Sequence, residues 1–323
     1  MASPNDRLTL VSICNYSVGV RERDGLADRR RARYCVMKIS GAARLAGIMG
    51  WPVAHSRSPL LHGFWLEETG IDGAYVPLPV RPDDIERALR ALPILGFRGC
   101  NLTIPHKQSA LRAVDRVDPL ARRIGAVNTI VVAVDGSLEA SNTDIYGFRE
   151  NLRAGAPNWS PSAGPAVVLG AGGSARAVIA ALGDSGVGEI RIVNRTRRRA
   201  ESVADQLATS ATRISVHAWD AASDVLDGAG LLVNTTSLGM TGEPPLDLDL
   251  SPLPRSAPVV DIVYVPLETR LLARARGRGH PVVDGLGMLL HQGRPGFEAW
   301  FGANVRVTPA LRSMIVKTLA PAT

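Results

Sequence analysis

A short glycine-rich segment constrains the fold of this chain more than any other feature. The segment, VLGAGGSA, occupies residues 168–175 and follows an apolar run that begins at Pro165. Gly170, Gly172 and Ala175 fit the G-x-G-x-x-G/A pattern, in which a tight turn joins a strand to a helix whose N-terminus binds a pyrophosphate. The pattern therefore predicts a Rossmann-like dinucleotide-binding domain.

The residues after the next strand-like segment distinguish between two dinucleotides. That segment, EIRIV at 189–193, leads to Asn194, where an NAD site would place a carboxylate for the ribose hydroxyl. The chain continues instead with Arg195 and Thr196, and then with arginines through Arg199. Guanidinium groups suit a 2′-phosphate, which favours NADP. The alternative is that the arginines are the solvated start of a helix, because charge clusters are often only surface.

Length and charge limit the classes of partner. The 323 residues predict about two domains, and the 46% hydrophobic and 21% charged residues are typical of globular proteins. No apolar stretch approaches the roughly 18 residues of a membrane span, so we expect no membrane contact. Of the net charge of +7, residues 1–40 contribute +4 through eight basic and four acidic residues, and the remaining +3 is spread over the rest of the chain without interleaved aromatic residues. We therefore expect no nucleic-acid partner.

The N-terminal segment differs from the rest of the chain. Residues 1–42 lack the apolar core and the cleavage site of a secretory signal, and we expect them to be disordered. A targeting segment is the alternative, although acidic residues disfavour it. Met37 precedes the first convincing strand and is a candidate start of translation. Two cysteines lie in this segment and Cys100 is the third, so no disulfide framework is expected and a cytoplasmic location is favoured.

The remaining sequence alternates strand-like and helix-like segments, which predicts an α/β fold with parallel sheets. Asp135-Gly136 predicts a two-residue hairpin and an antiparallel sheet edge. Pro, Gly and Ser are concentrated in residues 154–165, which indicates a connection between domains. We expect an N-terminal α/β domain of residues 43–144, completed by C-terminal helices in residues 286–323, and a Rossmann-like domain of residues 145–285.

Seven motifs in one order make the chain specific beyond its fold class. They are GWPVAHSRSP at 50–59, NLTIPHK at 101–107, GAVNT at 125–129, NTD at 142–144, the glycine segment, NRT at 194–196 and DGLGMLLHQ at 284–292. On these motifs the chain resembles the shikimate dehydrogenase family over nearly everything after about residue 43. The resemblance implies an N-terminal substrate-binding domain and an NADP-dependent enzyme that interconverts 3-dehydroshikimate and shikimate in the chorismate and aromatic amino acid pathway.

The resemblance also implies a catalytic pair. Removing a hydride from an alcohol carbon requires removal of the hydroxyl proton, so a base must lie beside that carbon. By resemblance, Lys107 passes the proton, while Asp144 orients it and binds the substrate hydroxyl. Without the motifs, a lone Lys is usually a surface residue, and an Asp after Asn-Thr is usually a cap or a turn.

A second set of residues is implied in substrate binding. Ser58 and Pro59 predict the N-cap and first residue of a helix, whose N-terminus also favours a carboxylate. By resemblance, Ser56 and Ser58 hold the substrate carboxylate. The other family positions are Thr103, Asn128, Tyr264 and Gln292. Each could be structural, although the Asn128 amide is costly to bury without partners.

A third set is implied in NADP binding. The residues are Gly170, Ala171, Gly172, Gly173, Ser174, Asn194, Arg195, Thr196, Arg199, Ile262 and Gly285. Gly285 is expected to bring its backbone to the nicotinamide amide, with Ile262 nearby. The chain departs from many relatives at Ile262, where Met is common, and after the NTD motif, where Ile145 replaces Gly. Neither departure removes a catalytic group.

Several alternatives remain open. Quinate or aminoshikimate dehydrogenases would share the fold and the catalytic pair. A non-catalytic NADP-binding sensor is disfavoured by the presence of both Lys107 and Asp144, and a folate-pathway dehydrogenase by the paired serines and the NTD motif. The histidines have no Cys or carboxylate partners at ligand spacing, so we expect no metal. The oligomeric state is open, with a homodimer as one candidate.

Overall fold

A computed structural model describes residues 10–13, 16–19 and 39–319 of the chain. The first two ranges are strands β1, Leu10–Ile13, and β2, Tyr16–Gly19, which pair antiparallel with Leu10 opposite Gly19. This pairing differs from the disorder expected of residues 1–42. Both strands carry β-branched or aromatic residues and are separated by only two residues, which favours local pairing. The hypothesis about Met37 concerns a residue outside the described ranges.

The first large sheet is mixed. Its strands are β3, Arg44–Gly50; β4, Gly73–Pro79; β5, Phe97–Leu102; β6, Arg116–Val117; β7, Thr129–Val132; and β8, Leu138–Ser141. Their order is β4-β3-β5-β7-β8-β6, with β7 antiparallel to both neighbours and the other pairs parallel. The helices that follow these strands are α1, Ser58–Thr69; α2, Ile85–Ile94; α3, His106–Ser109; α4, Pro119–Ile124; and α5, Asp144–Gly155.

The hairpin between β7 and β8 is confirmed, but two details of the prediction are wrong. The loop has three residues, because Ala133 N donates to the Ser137 carbonyl and Gly136 occupies the left-handed region at φ 81°. The Asp135 carboxylate accepts the Ser137 backbone N–H at 3.0 Å and stabilises this longer loop. The hairpin is also interior to the sheet, since the two-residue strand β6 lies beyond β8 as the edge.

The second large sheet is parallel throughout. Its strands are β9, Ala166–Leu169; β10, Glu189–Val193; β11, Arg213–His217; β12, Leu231–Asn234; β13, Val259–Asp261; and β14, Val282–Val283. Their order, β11-β10-β9-β12-β13-β14, is that of a doubly wound dinucleotide-binding sheet. The accompanying helices are α6, Gly173–Asp184; α7, Arg197–Leu207; and α8, Arg270–Gly277. The predicted Rossmann-like architecture is confirmed, and its strand order reverses between β9 and β12.

The last two helices return to the first sheet. They are α9, Leu286–Phe301, and α10, Pro309–Lys317. Phe297, Trp300 and Phe301 of α9 pack in one buried cluster with Trp65 of α1. The Trp300 indole Nε1 also donates to the Ile130 carbonyl in β7 at 2.9 Å. The C-terminal helices thus cover the face of a sheet that is built from the N-terminal half of the chain.

Close contact between α5 and α9 depends on a glycine. A Cβ atom at Gly147 of α5 would lie 2.7 Å from both the Gln292 Cβ and the Met288 carbonyl oxygen of α9. A real side chain cannot occupy that space, so the two helices would have to separate. Gly63 of α1 is also helical, but a Cβ there would meet no atom within 4 Å.

We predict that Gly147→Ala lowers the free energy of unfolding by about 1–3 kcal/mol, because overpacking displaces α9. Gly63→Ala is the matched control, and it should leave stability unchanged or raise it by up to about 1 kcal/mol through helix propensity. Urea unfolding measures both. Equal effects of the two substitutions would contradict this packing interpretation.

Candidate active site

The lysine and aspartate singled out from the sequence form a direct ion pair. Lys107 lies on α3 and Asp144 begins α5, and Lys107 Nζ is 2.6 Å from Asp144 Oδ2. The two side chains are only 15% and 7% exposed. Asp144 lies in the first turn of its helix, where the helix dipole stabilises a negative charge. The pair is therefore held at the boundary between solvent and the interior.

The remaining groups of Asp144 are held by two asparagines. Asn128 Nδ2 donates to Asp144 Oδ1 at 2.8 Å, and the Asp144 backbone N–H donates to Asn142 Oδ1 at 3.0 Å. The backbone N–H of Val127 donates to the Lys107 carbonyl at 2.8 Å. The GAVNT segment, residues 125–129, consequently contacts both members of the ion pair.

Asn128 makes further hydrogen bonds around the pair. Its Oδ1 accepts the Thr143 backbone N–H at 2.8 Å and the Thr129 hydroxyl at 3.0 Å. Gln292 Oε1 of α9 lies 3.4 Å from Asn128 Nδ2 and 3.4 Å from Thr143 Oγ1. The structure thus brings together four of the predicted residues, Lys107, Asn128, Asp144 and Gln292, from four distant parts of the sequence.

The paired serines lie at the start of α1, but their capping roles differ from the prediction. Ser58 is the first helical residue, and Arg57 occupies the N-cap without a side-chain bond. The Ser56 hydroxyl accepts the Ser58 backbone N–H at 3.2 Å, so Ser56 provides the cap. The predicted N-cap at Ser58 is wrong by one residue because Pro59 takes the second helical position. Both residues remain at a helix N-terminus, with Ser58 buried.

Thr103 and Tyr264 have different neighbours. A Cβ at Gly50 would lie 2.5 Å from the Thr103 methyl, so Thr103 packs on the end of β3. Burial raises the pKa of the Tyr264 phenol, and the nearby Arg57 guanidinium opposes that rise. Among the described residues, no hydrogen bond joins Ser56, Thr103 or Tyr264 to the Lys107–Asp144 pair.

The glycine loop faces the ion pair. Gly170 ends β9 at φ 111°, a value that few residues other than glycine adopt, and Gly172 is the N-cap of α6. A Cβ at Gly173 would lie 3.5 Å from the Lys107 Cδ. Ala175 is fully buried against the second sheet, as the fingerprint predicts. The aliphatic part of the Lys107 side chain therefore lies beside the loop expected to bind the pyrophosphate.

The arginine cluster follows β10 and is exposed. Asn194 Nδ2 donates to the Thr196 carbonyl at 2.8 Å, which shapes the turn into α7. Arg195, Thr196 and Arg199 are exposed, and no ion pair within the described residues involves either arginine. Arg197, between them, is paired with Glu201 at 2.7 Å. Two guanidinium groups are therefore available to an anion at the carboxyl edge of β10.

Gly285 and Ile262 are in direct backbone contact. A Cβ at Gly285 would lie 2.2 Å from the Ile262 carbonyl oxygen, which excludes any larger residue. Ile262 follows β13, and its backbone N–H donates to the Asn234 carbonyl of β12 at 3.1 Å. The structure thus brings these two predicted residues together, near the point where the strand order reverses.

Two threonines near the glycine loop were missed by the sequence reasoning. Thr235 and Thr236 follow β12 directly, and a Cβ at Gly170 would lie 2.7 Å from Thr235 Oγ1. The Thr235 hydroxyl donates to the Leu169 carbonyl at 2.6 Å. The available signal was the polar run TTS at 235–237, which follows the strand LLVN directly, since ligands bind at the carboxyl ends of strands.

A buried aspartate anchors the loop that carries Ile262 and Tyr264. Asp261 Oδ1 accepts Asn234 Nδ2 at 2.9 Å and the Val263 backbone N–H at 3.0 Å, and Oδ2 accepts the Thr269 hydroxyl at 2.7 Å. Asp261 is fully buried, and burial raises its pKa to about 6 despite these donors. The carboxyl fastens the ends of β12 and β13 to the start of α8.

We predict that Asp261 makes stability depend on pH. The pKa of Asp261 is about 6 in the folded protein, whereas its reference value is 3.8. Asp261 therefore stabilises the folded state below pH 3.8, and this contribution is lost as the pH rises through 6. Between pH 5 and pH 8 the loss is about 1 kcal/mol. Asp261→Asn should remove this dependence. A difference in unfolding free energy between wild type and variant that stays constant over this range would contradict the prediction.

Known proteins are similar to this chain over most of its length. A family model of the shikimate dehydrogenase substrate binding domain matches residues 48–130, and a model of shikimate / quinate 5-dehydrogenase matches residues 160–239. A protein of Paramagnetospirillum magneticum named shikimate dehydrogenase (NADP(+)) is 61% identical over 278 residues, which are 86% of this chain and 100% of the relative.

The chain belongs to the shikimate dehydrogenase family. It is therefore an oxidoreductase, and the resemblance seen in its motifs is confirmed. Shikimate 5-dehydrogenase of Thermus thermophilus, solved with NADP(H) and shikimate, is 37% identical with a TM-score of 0.75 and covers 86% of this chain and 100% of that one. Quinate dehydrogenase of Corynebacterium glutamicum, solved with NAD, is 32% identical with a TM-score of 0.78, covering 85% and 99%.

Two other findings apply to the described part of the chain. No group of three or more His, Cys, Asp or Glu side chains there is placed to hold a metal ion. None of the helices there has both the length and the apolar character that crossing a membrane requires.

Proposed function

We propose that the chain catalyses the reversible reduction of 3-dehydroshikimate to shikimate, with Lys107 and Asp144 handling the proton, in the chorismate and aromatic amino acid pathway. The cofactor is NADP, as in the relatives that share up to 61% of the sequence. The single observation that carries the proposal is the Lys107–Asp144 pair at 2.6 Å, with Lys107 against the glycine loop at Gly173.

The proposed chemistry divides between cofactor and chain. When bound, NADPH supplies the hydride that converts a ketone carbon into an alcohol carbon. Lys107 Nζ donates a proton to the carbonyl oxygen during reduction and accepts it during oxidation. Asp144 holds the ammonium through Oδ2 and hydrogen-bonds the substrate hydroxyl, while Asn128 fixes Oδ1. Oxygen thus gains one proton and carbon gains one hydride, which balances the reaction.

The substrate residues are assigned by family position. Ser56 and Ser58 bind the substrate carboxylate at the N-terminus of α1, where the helix dipole favours an anion. The ring hydroxyls and the substrate carboxylate are also bound by Thr103, Asn128, Tyr264 and Gln292. The contacts of Asn128 with Asp144 and with Gln292 support this assignment for two of the residues, Asn128 and Gln292. Residues 43–144 with 286–323 form the proposed substrate-binding domain, and residues 145–285 the NADP-binding domain.

The cofactor residues are assigned in the same way. Gly170 to Ser174 hold the pyrophosphate, Asn194 to Thr196 with Arg199 hold the adenosine 2′-phosphate, and Ile262 with Gly285 border the nicotinamide. The exposed guanidiniums of Arg195 and Arg199, which make no ion pair with a described residue, support the 2′-phosphate assignment. A homodimer is the proposed assembly.

We predict that Lys107→Ala lowers kcat by about 10²- to 10⁴-fold, because proton transfer loses its donor. The Kd for NADP should change little, since the cofactor contacts are unaltered. Lys317→Ala, at the end of α10, is the control and should retain wild-type turnover. The assay follows nicotinamide absorbance with shikimate and, in parallel, quinate. Unchanged turnover in the Lys107 variant removes Lys107 from the mechanism, and a preference for quinate favours the second candidate.

Quinate dehydrogenation is that second candidate because the C. glutamicum enzyme shares the fold at 32% identity. It was solved with NAD, whereas the arginines after β10 of this chain suit the additional phosphate of NADP.

We predict that the double substitution Arg195→Ala and Arg199→Ala raises the KM for NADP by about tenfold or more, because charged hydrogen bonds of about 1.5–3 kcal/mol are lost. The KM for NAD should hardly change. Arg197→Ala is the matched control, since Arg197 already pairs with Glu201. A parallel rise in the KM values of both cofactors would contradict the 2′-phosphate role.

A further inference from the structure

The end of α4 is held by side chains from helices of the other domain. Arg176 Nη1 of α6 donates to the Ile124 carbonyl at 3.1 Å, and Gln206 Nε2 of α7 donates to the Arg123 carbonyl at 2.8 Å. Gly125 ends α4 in the left-handed region at φ 66°. The last carbonyls of a helix lack partners within it, and these two donors fill that need across the domain boundary.

Arg176 is an unusual residue for such a contact. It is only 9% exposed, and burial lowers the pKa of its guanidinium. Its Nε has no hydrogen-bond partner in the described part of the chain, and no ion pair there includes it. A buried cation without an anion is costly, and the negative end of α4 offsets only part of that cost.

Arg176 also lies in the first turn of α6. That helix begins at Gly173, with Gly172 as its N-cap, and this is where the pyrophosphate is expected. A phosphate anion there would favour the charged guanidinium about one helical turn away. The same residue therefore connects the expected anion site to the end of α4.

The segment after α4 leads directly to the catalytic pair. Two residues beyond Gly125, the Val127 backbone N–H bonds the Lys107 carbonyl, and Asn128 then bonds the Asp144 carboxylate. Asn142 Nδ2 donates to the Ala126 carbonyl at 3.0 Å and ties the segment to the start of α5. A shift at the end of α4 must therefore move the groups that hold Lys107 and Asp144.

We propose that Arg176 is a positioning residue that couples NADP binding at α6 to the geometry of the substrate pocket through the Ile124 carbonyl. The inference rests on the proposed function, because it takes shikimate as the ligand of that pocket. By thermodynamic linkage, cofactor must then strengthen substrate binding by the same factor by which substrate strengthens cofactor binding.

The neighbouring ion pair supplies a matched control. Arg123 of α4 and Asp184 of α6 contact at 2.7 Å across the same interface, but their side chains are 38% and 33% exposed. Asp184→Asn weakens the contact between α4 and α6 but leaves the hydrogen bond from Arg176 to the Ile124 carbonyl in place. A general loosening of the interface would affect both variants, whereas coupling through Arg176 affects only one.

The test measures the Kd of shikimate by calorimetry, with and without saturating NADPH, a pair that cannot react because both are reduced. Wild type should bind shikimate about fivefold or more tightly with NADPH. In Arg176→Met the ratio of the shikimate Kd without NADPH to the Kd with NADPH should fall close to one. The Kd values for each ligand alone should change by less than about threefold. Asp184→Asn should keep the wild-type ratio. Arg176→Lys retains the positive charge but has only one nitrogen donor, so it should show an intermediate ratio. It replaces Arg176→Met if that variant does not fold.

Each outcome decides the proposal. A wild-type ratio near one, a ratio that survives in the Arg176 variants, or an equal loss in Asp184→Asn overturns it. If shikimate does not bind wild type at all, the proposed function has failed and this inference fails with it. If shikimate binds but the ratio ignores Arg176, only this inference fails.

Discussion

The ion pair between Lys107 and Asp144 determines much of what surrounds it, because two charges taken this far from water are costly. Their side chains are 15% and 7% exposed, and their mutual attraction offsets desolvation only when the remaining hydrogen-bonding positions are also filled. Asn128 fills the second carboxylate oxygen, and Asn142 accepts the Asp144 backbone N–H. The GAVNT and NTD motifs thus supply the polar groups that the pair requires. Asn128 of the first motif and Asn142 of the second both hydrogen-bond Asp144.

A second constraint comes from close backbone approach. Three glycines, Gly147, Gly285 and Gly287, sit where a Cβ would lie between 1.9 and 2.7 Å from a neighbouring atom. Gly147 and Gly287 bring α5 and α9 together, and Gly285, the residue before α9, lies against Ile262, the residue after β13. Small residues at these contacts place Gln292 within reach of Asn128 and hold the loop after β13 beside the helix. The pocket therefore depends on the lack of a Cβ at these glycines as much as on the groups that line it.

Much of the fold could be predicted from the sequence because its signals are local. Alternating apolar segments, the glycine fingerprint and Asp135-Gly136 each report on a few neighbouring residues, and the strands and the hairpin they indicate are present. Errors arose where a neighbour changed the local balance. The N-cap of α1 is Arg57 rather than Ser58, with the hydroxyl of Ser56 accepting the first helical N–H, and the Asp135 carboxylate stabilises a hairpin loop one residue longer than expected.

The rest could not be predicted because its partners are distant. Arg176 meets the Ile124 carbonyl 52 positions away, and Asp261 meets Asn234 27 positions away, so neither contact leaves a local pattern. Burial raises the pKa of Asp261, but a sequence alone does not show how deeply one carboxyl will lie. The residues proposed for catalysis and for cofactor binding could be named from family motifs, whereas Thr235 and Thr236 carried only the weaker signal of polar residues after a strand.

The packing of α9 against the first sheet has a consequence for how the chain folds during translation. Trp300 donates a hydrogen bond to β7, Gln292 contacts Asn128, and Phe297 packs in the cluster with Trp65, so the first sheet acquires part of its interior from residues made after the Rossmann-like domain. A nascent chain on the ribosome can close the parallel sheet of the Rossmann-like domain while the earlier sheet still exposes apolar surface. Folding therefore cannot simply follow the order of synthesis, because the first sheet is completed only after the Rossmann-like domain has been made.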